Sequence, residues 1–157
     1  MTRILFVCYG NICRSPMAEF IFKQMVRERG LSENFVIESR ATSSEEILGG
    51  VGRPIYRPAQ DELRRHGVPF EMRHATLLLP SDAKKYDIFL GMDHENIRNM
   101  KRILGEGANI HRLMEFTDRG GEVADPWYTD RFDVAYRDIY DGCAGLLNDL
   151  LKDMERN

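Results

Sequence analysis

A chain of 157 residues, 43% hydrophobic and 30% charged, suits one soluble core and leaves little room for a second domain. Its formal charge of -3 argues against nucleic-acid binding as the main activity, because phosphate-backbone affinity needs a clear excess of Lys and Arg. Three cysteines, an odd number, do not make a disulfide framework and suit a reducing cytoplasm.

Arg3 to Cys8 is an apolar run with Ile, Phe and Val, which predicts a short buried strand ended by Tyr9-Gly10-Asn11. The run is too brief for an export signal or a membrane span, so the mature chain is expected to begin at Met1. Ser15-Pro16 predicts a helix start, with Ser15 as N-cap and Pro16 at the first helical position. That helix runs to about Arg29 and stops at Gly30. Met17, Ile21 and Met25, with Ala18, Phe22 and Val26, recur at helical spacing and give it one buried face.

Phe35 to Ser39 predicts a second strand, and a long loop containing Gly49, Gly50 and Gly52 leads to Pro54. Pro58 opens a helix reaching about His66 and closed by Gly67, Ser81 caps a short turn, and Asp87 to Gly91 predicts a third strand. Asp93 caps a helix extending to Leu104, and Ile110 to Leu113 gives a fourth strand. Glu115 to Asp130 is polar and turn-like. A final helix from about Phe132 to Met154 is expected to bury Ile139, Cys143, Leu147, Leu150 and Met154. Strands alternating with helices predict a single α/β domain over residues 1–157, its parallel sheet covered on both faces. Ligands of such sheets sit at the carboxyl ends of strands, where Cys8 lies.

The segment Cys8-Tyr9-Gly10-Asn11-Ile12-Cys13-Arg14-Ser15 therefore runs from a strand end to a helix N-terminus. A loop there can point several backbone N–H groups at one anion, and the helix end adds partial positive charge. Gly10 allows a tight turn, and the Arg14 fork can clamp two phosphate oxygens. A thiol in that field loses its proton readily, so Cys8 is expected to act as a thiolate nucleophile. Ser15 can also hydrogen-bond that thiolate.

This segment resembles the signature of the low-molecular-weight protein tyrosine phosphatases, Cys-x-Gly-Asn-Ile-Cys-Arg-Ser-Pro near the N-terminus. The resemblance extends over the whole chain, through Met92-Asp93 to a late Asp-Pro-aromatic motif. It implies a four-stranded parallel sheet flanked by helices and phosphotyrosine hydrolysis without metal or cofactor. The substrates implied are phosphotyrosine proteins or peptides, with inorganic phosphate as product. The charge and the short apolar run separately lead us to expect no nucleic-acid or membrane partner. Phosphate is expected to sit on the backbone of Tyr9, Gly10, Asn11, Ile12, Cys13, Arg14 and Ser15. Asn11, Ser39 and His66 match positions that hold the loop in shape, although His66 also suits the end of its own helix. Asp93 matches an acidic position too, but helix capping accounts for it.

Expelling a phenolate is eased by an acid that protonates its oxygen and later, ionised, activates water. Asp125 is the candidate, because Pro126 holds it extended and Trp127-Tyr128 can wall a flat ring. Asp-Pro is also a common turn, and the family resemblance decides for catalysis. Asp118 and Asp130 lack that context. Many relatives place an aromatic after the second strand, where this chain reads Ser43-Ser44-Glu45-Glu46-Ile47-Leu48. Tyr56, or Ile47 and Leu48, are the substitutes available. Arg40, Arg53 and Arg57 either line the approach and favour acidic peptides or are plain solvated surface.

Cys13 is either a redox partner for Cys8 or a small packed residue, and Cys143 falls on the apolar face of the last helix. The histidines and cysteines show no zinc spacing. Rival readings are a protein-arginine phosphatase on the same scaffold, whose members carry Thr where Ile12 stands, a thiol-dependent arsenate reductase, and a non-catalytic phosphate-binding or redox-sensing module. Arsenate reduction needs relay thiols beyond the loop, and only Cys143 is left.

Overall fold

The N-terminal apolar run forms β1 (Thr2–Cys8), followed by α1 (Arg14–Glu28) and β2 (Phe35–Ala41). A small antiparallel hairpin, β3 (Ile47–Leu48) and β4 (Val51–Gly52), precedes α2 (Arg57–Arg65). Then come β5 (Ile88–Gly91), α3 (His94–Leu104), β6 (Ile110–Arg112), the short α4 (Pro126–Thr129) and the long α5 (Phe132–Arg156). This is a computed structural model, and it describes residues 1–156.

Four parallel strands make the main sheet in the order β2-β1-β5-β6. β1 is paired on both edges and covered on both faces, which is why its sequence is a continuous apolar run rather than an alternating one. Ile4, Phe6 and Cys8 pack into the larger core with Met17, Leu63 and Leu147, whereas Leu5 and Val7 pack on the other face with Phe89 and Met100. Complete burial of a side chain such as Phe6 contributes about 1.5–3 kcal/mol.

After β2 the chain returns past β1 to form β5, so connections leave these two central strands in opposite directions. A crevice opens there at the carboxyl ends, the position where doubly wound sheets hold ligands. α3 packs so closely on the end of β5 that a Cβ on Gly91 would lie 2.9 Å from Ile97 Cδ1. That approach brings Asp93, the N-cap of α3, to the rim of the crevice.

Several local expectations are corrected. Helix α1 starts at Arg14 with no capping side chain, so Ser15 is not its N-cap. The Gly-rich loop contains the β3–β4 hairpin, because Gly49 and Gly50 take positive φ and let two residue pairs meet. Ser81 does not cap its turn; Asp82 does, accepting the Leu79 N–H at 2.9 Å. The stretch after Glu115 is not all turn, since it includes α4. α5 buries Ile139, Cys143 and Leu147, but Leu150 is half-buried and Met154 is exposed where the helix outruns the core.

Candidate active site

A small pocket of about 80 Å³ opens at the end of β1, lined by Cys8, Tyr9, Gly10, Ile12, Cys13 and Arg14 of the loop, by Asp125, Trp127 and Tyr128, and by Glu45 and Glu46. Asn11 and Ser15 lie buried behind it. Cys8 forms its floor and is 3% exposed. Its Sγ accepts the backbone N–H groups of Asn11 at 3.3 Å and Ser15 at 3.4 Å, and Ser15 Oγ lies 3.0 Å away. The backbone N–H groups of Gly10, Ile12 and Cys13 have no protein acceptor among the described residues, although all three residues line the pocket. Unspent donors of this kind at a helix N-terminus make an anion cradle.

The direction of the Ser15 hydroxyl follows from a chain of donors behind the loop. Asn11 Oδ1 accepts from Arg73 Nη2 at 2.8 Å and from the Thr76 N–H at 3.0 Å. Its Nδ2 must then face Ser15 Oγ at 2.7 Å and Ser39 Oγ at 3.0 Å. Ser15 Oγ, already accepting, is left to donate its own proton to the Cys8 sulfur. Asn11 holds φ at 58°, a left-handed conformation that Asn tolerates better than most residues.

Beneath Asn11, Ser39 donates to Glu19 Oε1 at 2.6 Å, and Arg73 Nη1 donates to the same oxygen at 2.7 Å. Lys23 takes Glu19 Oε2 at 2.6 Å. Buried Glu19 is thus neutralised by cations rather than stranded. Arg73, Glu19 and Thr76 are not foreseen by the sequence reading. Glu19 leaves a signal there, since an acid on the buried face of an apolar helix requires a cation.

Arg14 is 2% exposed. Its Nη1 donates to Asp93 Oδ2 and to the Val123 carbonyl, each at 2.8 Å, and Nη2 reaches Asp125 Oδ2 at a longer 3.4 Å, leaving the rest of the Nη2–Nε edge for the pocket. Burial works against its charge, but Cys8, Asp125 and Asp93 outweigh it and raise the guanidinium pKa. Asp93 therefore does more than cap α3: Oδ1 accepts the Asn96 N–H at 2.7 Å while Oδ2 holds Arg14.

Asp125 sits extended before Pro126, at φ -73° and ψ 113°, and N-caps α4 by accepting the Trp127 N–H at 3.1 Å with Oδ1. Its Oδ2 lies 3.4 Å from Arg14 Nη2. One carboxylate oxygen is structural and the other faces the pocket.

The walls differ from expectation. Trp127 and Tyr128 line the mouth, but Tyr56 packs behind Trp127, with ring centroids 4.9 Å apart, and neither Ile47 nor Leu48 reaches the pocket. Tyr9, which follows Cys8 directly and is 39% exposed, supplies the further aromatic. Opposite stand Glu45 and Glu46, carried in by the hairpin that the sequence reading leaves as loop.

His66 is not part of the loop support. It stacks on Tyr136 with ring centroids 3.7 Å apart and pairs with Glu62 on its own helix. Arg73 occupies the place behind Asn11. Cys13 lines the pocket, and burial, then the charge of Cys8, pushes its thiol well above the ordinary range. Cys143 lies fully buried against the Ala18 carbonyl, too enclosed for a relay thiol. Among the described residues no three His, Cys, Asp or Glu side chains converge as a metal site, and no helix is long and apolar enough to cross a membrane.

The support network carries an expectation of its own. Arg73→Met removes the bonds to Asn11 and Ser39, so kcat/KM for an aryl phosphate should fall about 10- to 100-fold through loss of loop geometry. The inhibition constant of inorganic phosphate should weaken alongside, with Arg73→Lys recovering part of both. Unchanged phosphate affinity in Arg73→Met would remove this positioning role.

Comparison with known proteins gives a consistent result. The family model described as low molecular weight phosphotyrosine protein phosphatase matches residues 3–156. The chain is 34% identical to the low molecular weight protein-tyrosine-phosphatase YfkJ of Bacillus subtilis, covering 99% of each chain. The YfkJ crystal structure superposes with a TM-score of 0.88, over 98% of this chain and 96% of that one. A low molecular weight protein tyrosine phosphatase from Streptococcus pyogenes gives 0.84 at 35% identity, over 96% and 93% of the two chains. A Drosophila arginine phosphatase gives 0.82 at 27% identity, over 96% and 98%.

Proposed function

Starting from the premise that the chain belongs to the low molecular weight phosphotyrosine protein phosphatase family, and so is a protein tyrosine phosphatase, we propose that it acts through a phosphocysteine formed on Cys8. The observation that carries this reading is the Cys8 sulfur at the floor of a cradle of N–H groups, beside Arg14 and beneath Asp125.

The phosphate oxygens lie on the free N–H groups of the loop and on the open edge of the Arg14 fork, which stabilise the charge spread over them in the transition state. The Cys8 thiolate attacks phosphorus in line with the phenolic oxygen, forming the S–P bond as the P–O bond breaks. Asp125 gives its proton to that oxygen, so tyrosine departs neutral. A water then attacks the phosphocysteine and passes its proton to Asp125, and the P–S bond breaks to release phosphate. Ser15 donates to the sulfur as it leaves with negative charge, which lowers the barrier to that step. Asp93 and the Val123 carbonyl fix Arg14 so that it is preorganised for a phosphate.

The phosphatase domain occupies residues 1–157 in this reading, and its substrates are phosphotyrosine proteins. Three unpaired thiols suit a reducing, cytoplasmic setting. A second reading, phosphoarginine hydrolysis, draws on the acidic wall of Glu45 and Glu46, which suits a guanidinium. Against it stands Ile12, an aliphatic side chain lining the pocket, where it crowds the planar group and the water needed there.

Phosphate release from matched phosphotyrosine and phosphoarginine peptides decides between them. The expected result is a kcat/KM for phosphotyrosine at least about tenfold higher, a difference of about 1.4 kcal/mol in transition-state binding. The reverse preference would replace the tyrosine assignment with the arginine one while leaving the nucleophile unchanged.

A further inference from the structure

Beyond the phosphate pocket, across the Trp127 ring, lies a second groove of about 470 Å³ whose lining includes Ile12, Tyr56, Met72, Trp127, Arg53 and Arg57. We infer that this groove is a substrate subsite that takes an apolar side chain of the phosphotyrosine-bearing segment, with an adjacent carboxylate of that segment held by Arg53 and Arg57. The inference rests on the phosphotyrosine reading above and adds to it the sequence context of the substrate.

Continuity is the first argument. Ile12 and Trp127 line both cavities, so a chain whose phosphotyrosine fills one has its neighbouring residues at the lip of the other. Exposed apolar surface is the second. Tyr56, Met72 and Trp127 are 36%, 54% and 52% exposed, yet they gather at one groove instead of scattering singly. Contiguous apolar surface rimmed by charge marks a binding site.

Charge is the third argument. Arg57 pairs with Asp61 at 3.1 Å, but both are solvent-exposed, and such pairs contribute little and exchange partners readily. Arg53 meets Glu46 through Nε at 3.3 Å, which leaves the outer nitrogens of its fork for another carboxylate. α2 also begins at this rim with no acid in its first turn and no capping side chain, which adds positive potential.

The floor is rigid and tied to the reacting centre. The Tyr56 N–H donates to the Ile12 carbonyl at 2.9 Å, and the Ala75 N–H donates to the Arg53 carbonyl at 2.8 Å. Occupying the groove therefore braces the phosphate loop at Ile12, and binding energy gained there serves kcat/KM.

The test uses phosphotyrosine peptides that differ only near the phosphotyrosine, one series carrying Leu-Glu on either side and the other Ser-Lys, with 4-nitrophenyl phosphate as the small substrate. The expected result is a kcat/KM about tenfold higher for a Leu-Glu peptide in one direction. Arg57→Glu and Met72→Glu should each erase most of that preference while changing 4-nitrophenyl phosphate turnover by less than about twofold. Equal preference in wild type and variants would overturn the subsite. So would variants that slow both substrates alike, or variants that alter only self-association in sedimentation, which would make the groove an interface between copies. A wild-type enzyme inactive even on 4-nitrophenyl phosphate would instead overturn the phosphatase reading beneath it.

Discussion

Replacing Cys8 with serine should lower aryl phosphate turnover by about four orders of magnitude or more, while inorganic phosphate still binds. Loss of the covalent nucleophile in a serine protease costs more than this, about six orders of magnitude, and sets the scale. Serine is close to isosteric, but its hydroxyl stays protonated at neutral pH, and no general base stands beside residue 8 to activate it: the contacts to Sγ are N–H groups and the Ser15 hydroxyl, all donors. The free N–H groups of Gly10, Ile12 and Cys13 and the open edge of Arg14 survive the change. Phosphate affinity should accordingly stay within a fewfold of wild type, and intact-mass spectra of quenched reactions should lose the phosphorylated species. Turnover within tenfold of wild type would remove Cys8 from the mechanism.

Asp125→Asn is the second large effect, expected to reduce kcat/KM about 10²- to 10³-fold for phenyl phosphate and far less for 4-nitrophenyl phosphate. The substitution is unusually clean because Asp125 has divided duties. One oxygen caps α4 through the Trp127 N–H, and asparagine caps helices as well as aspartate does. The fold of the 123–130 segment is thereby kept, while the proton for the departing oxygen is lost. 4-Nitrophenolate leaves without needing that proton and serves as the internal control. A uniform loss across leaving groups would assign Asp125 to holding Arg14, 3.4 Å away, rather than to acid catalysis.

What could be read from the sequence, and what could not, divides by range. Three strands of the parallel sheet, β1, β2 and β5, are marked by local apolar runs, and the floor of the site by one contiguous segment from Cys8 to Ser15. Edge strand β6, Ile-His-Arg, carries a single apolar residue. Short-range logic failed where a side chain had a better distant offer. Ser15 has the residue type and position of an N-cap, yet its hydroxyl turns to Cys8 and Asn11. Asp93 reads as a cap and is one, but its second oxygen is spoken for by Arg14, 79 residues away in the chain. His66 ends its helix beside Tyr136, so the place behind Asn11 falls to Arg73. The hairpin carrying Glu45 and Glu46 was hidden because its strands are two residues each, too short for any alternation to register.

The bonds shaping the anion cradle reach from Asn11 to Ser39, Arg73 and Thr76, across 28, 62 and 65 residues of chain. A nascent polypeptide that has emerged only as far as its first helix carries the complete signature motif yet has nothing to bend it into a trap for phosphate. The cradle thus takes shape late in synthesis, after the segment bearing Arg73 and Thr76 docks, and catalytic competence waits further for Asp93 and Val123 to fix Arg14. Unfinished or truncated copies would bear the motif and remain harmless to the cell's phosphoproteins.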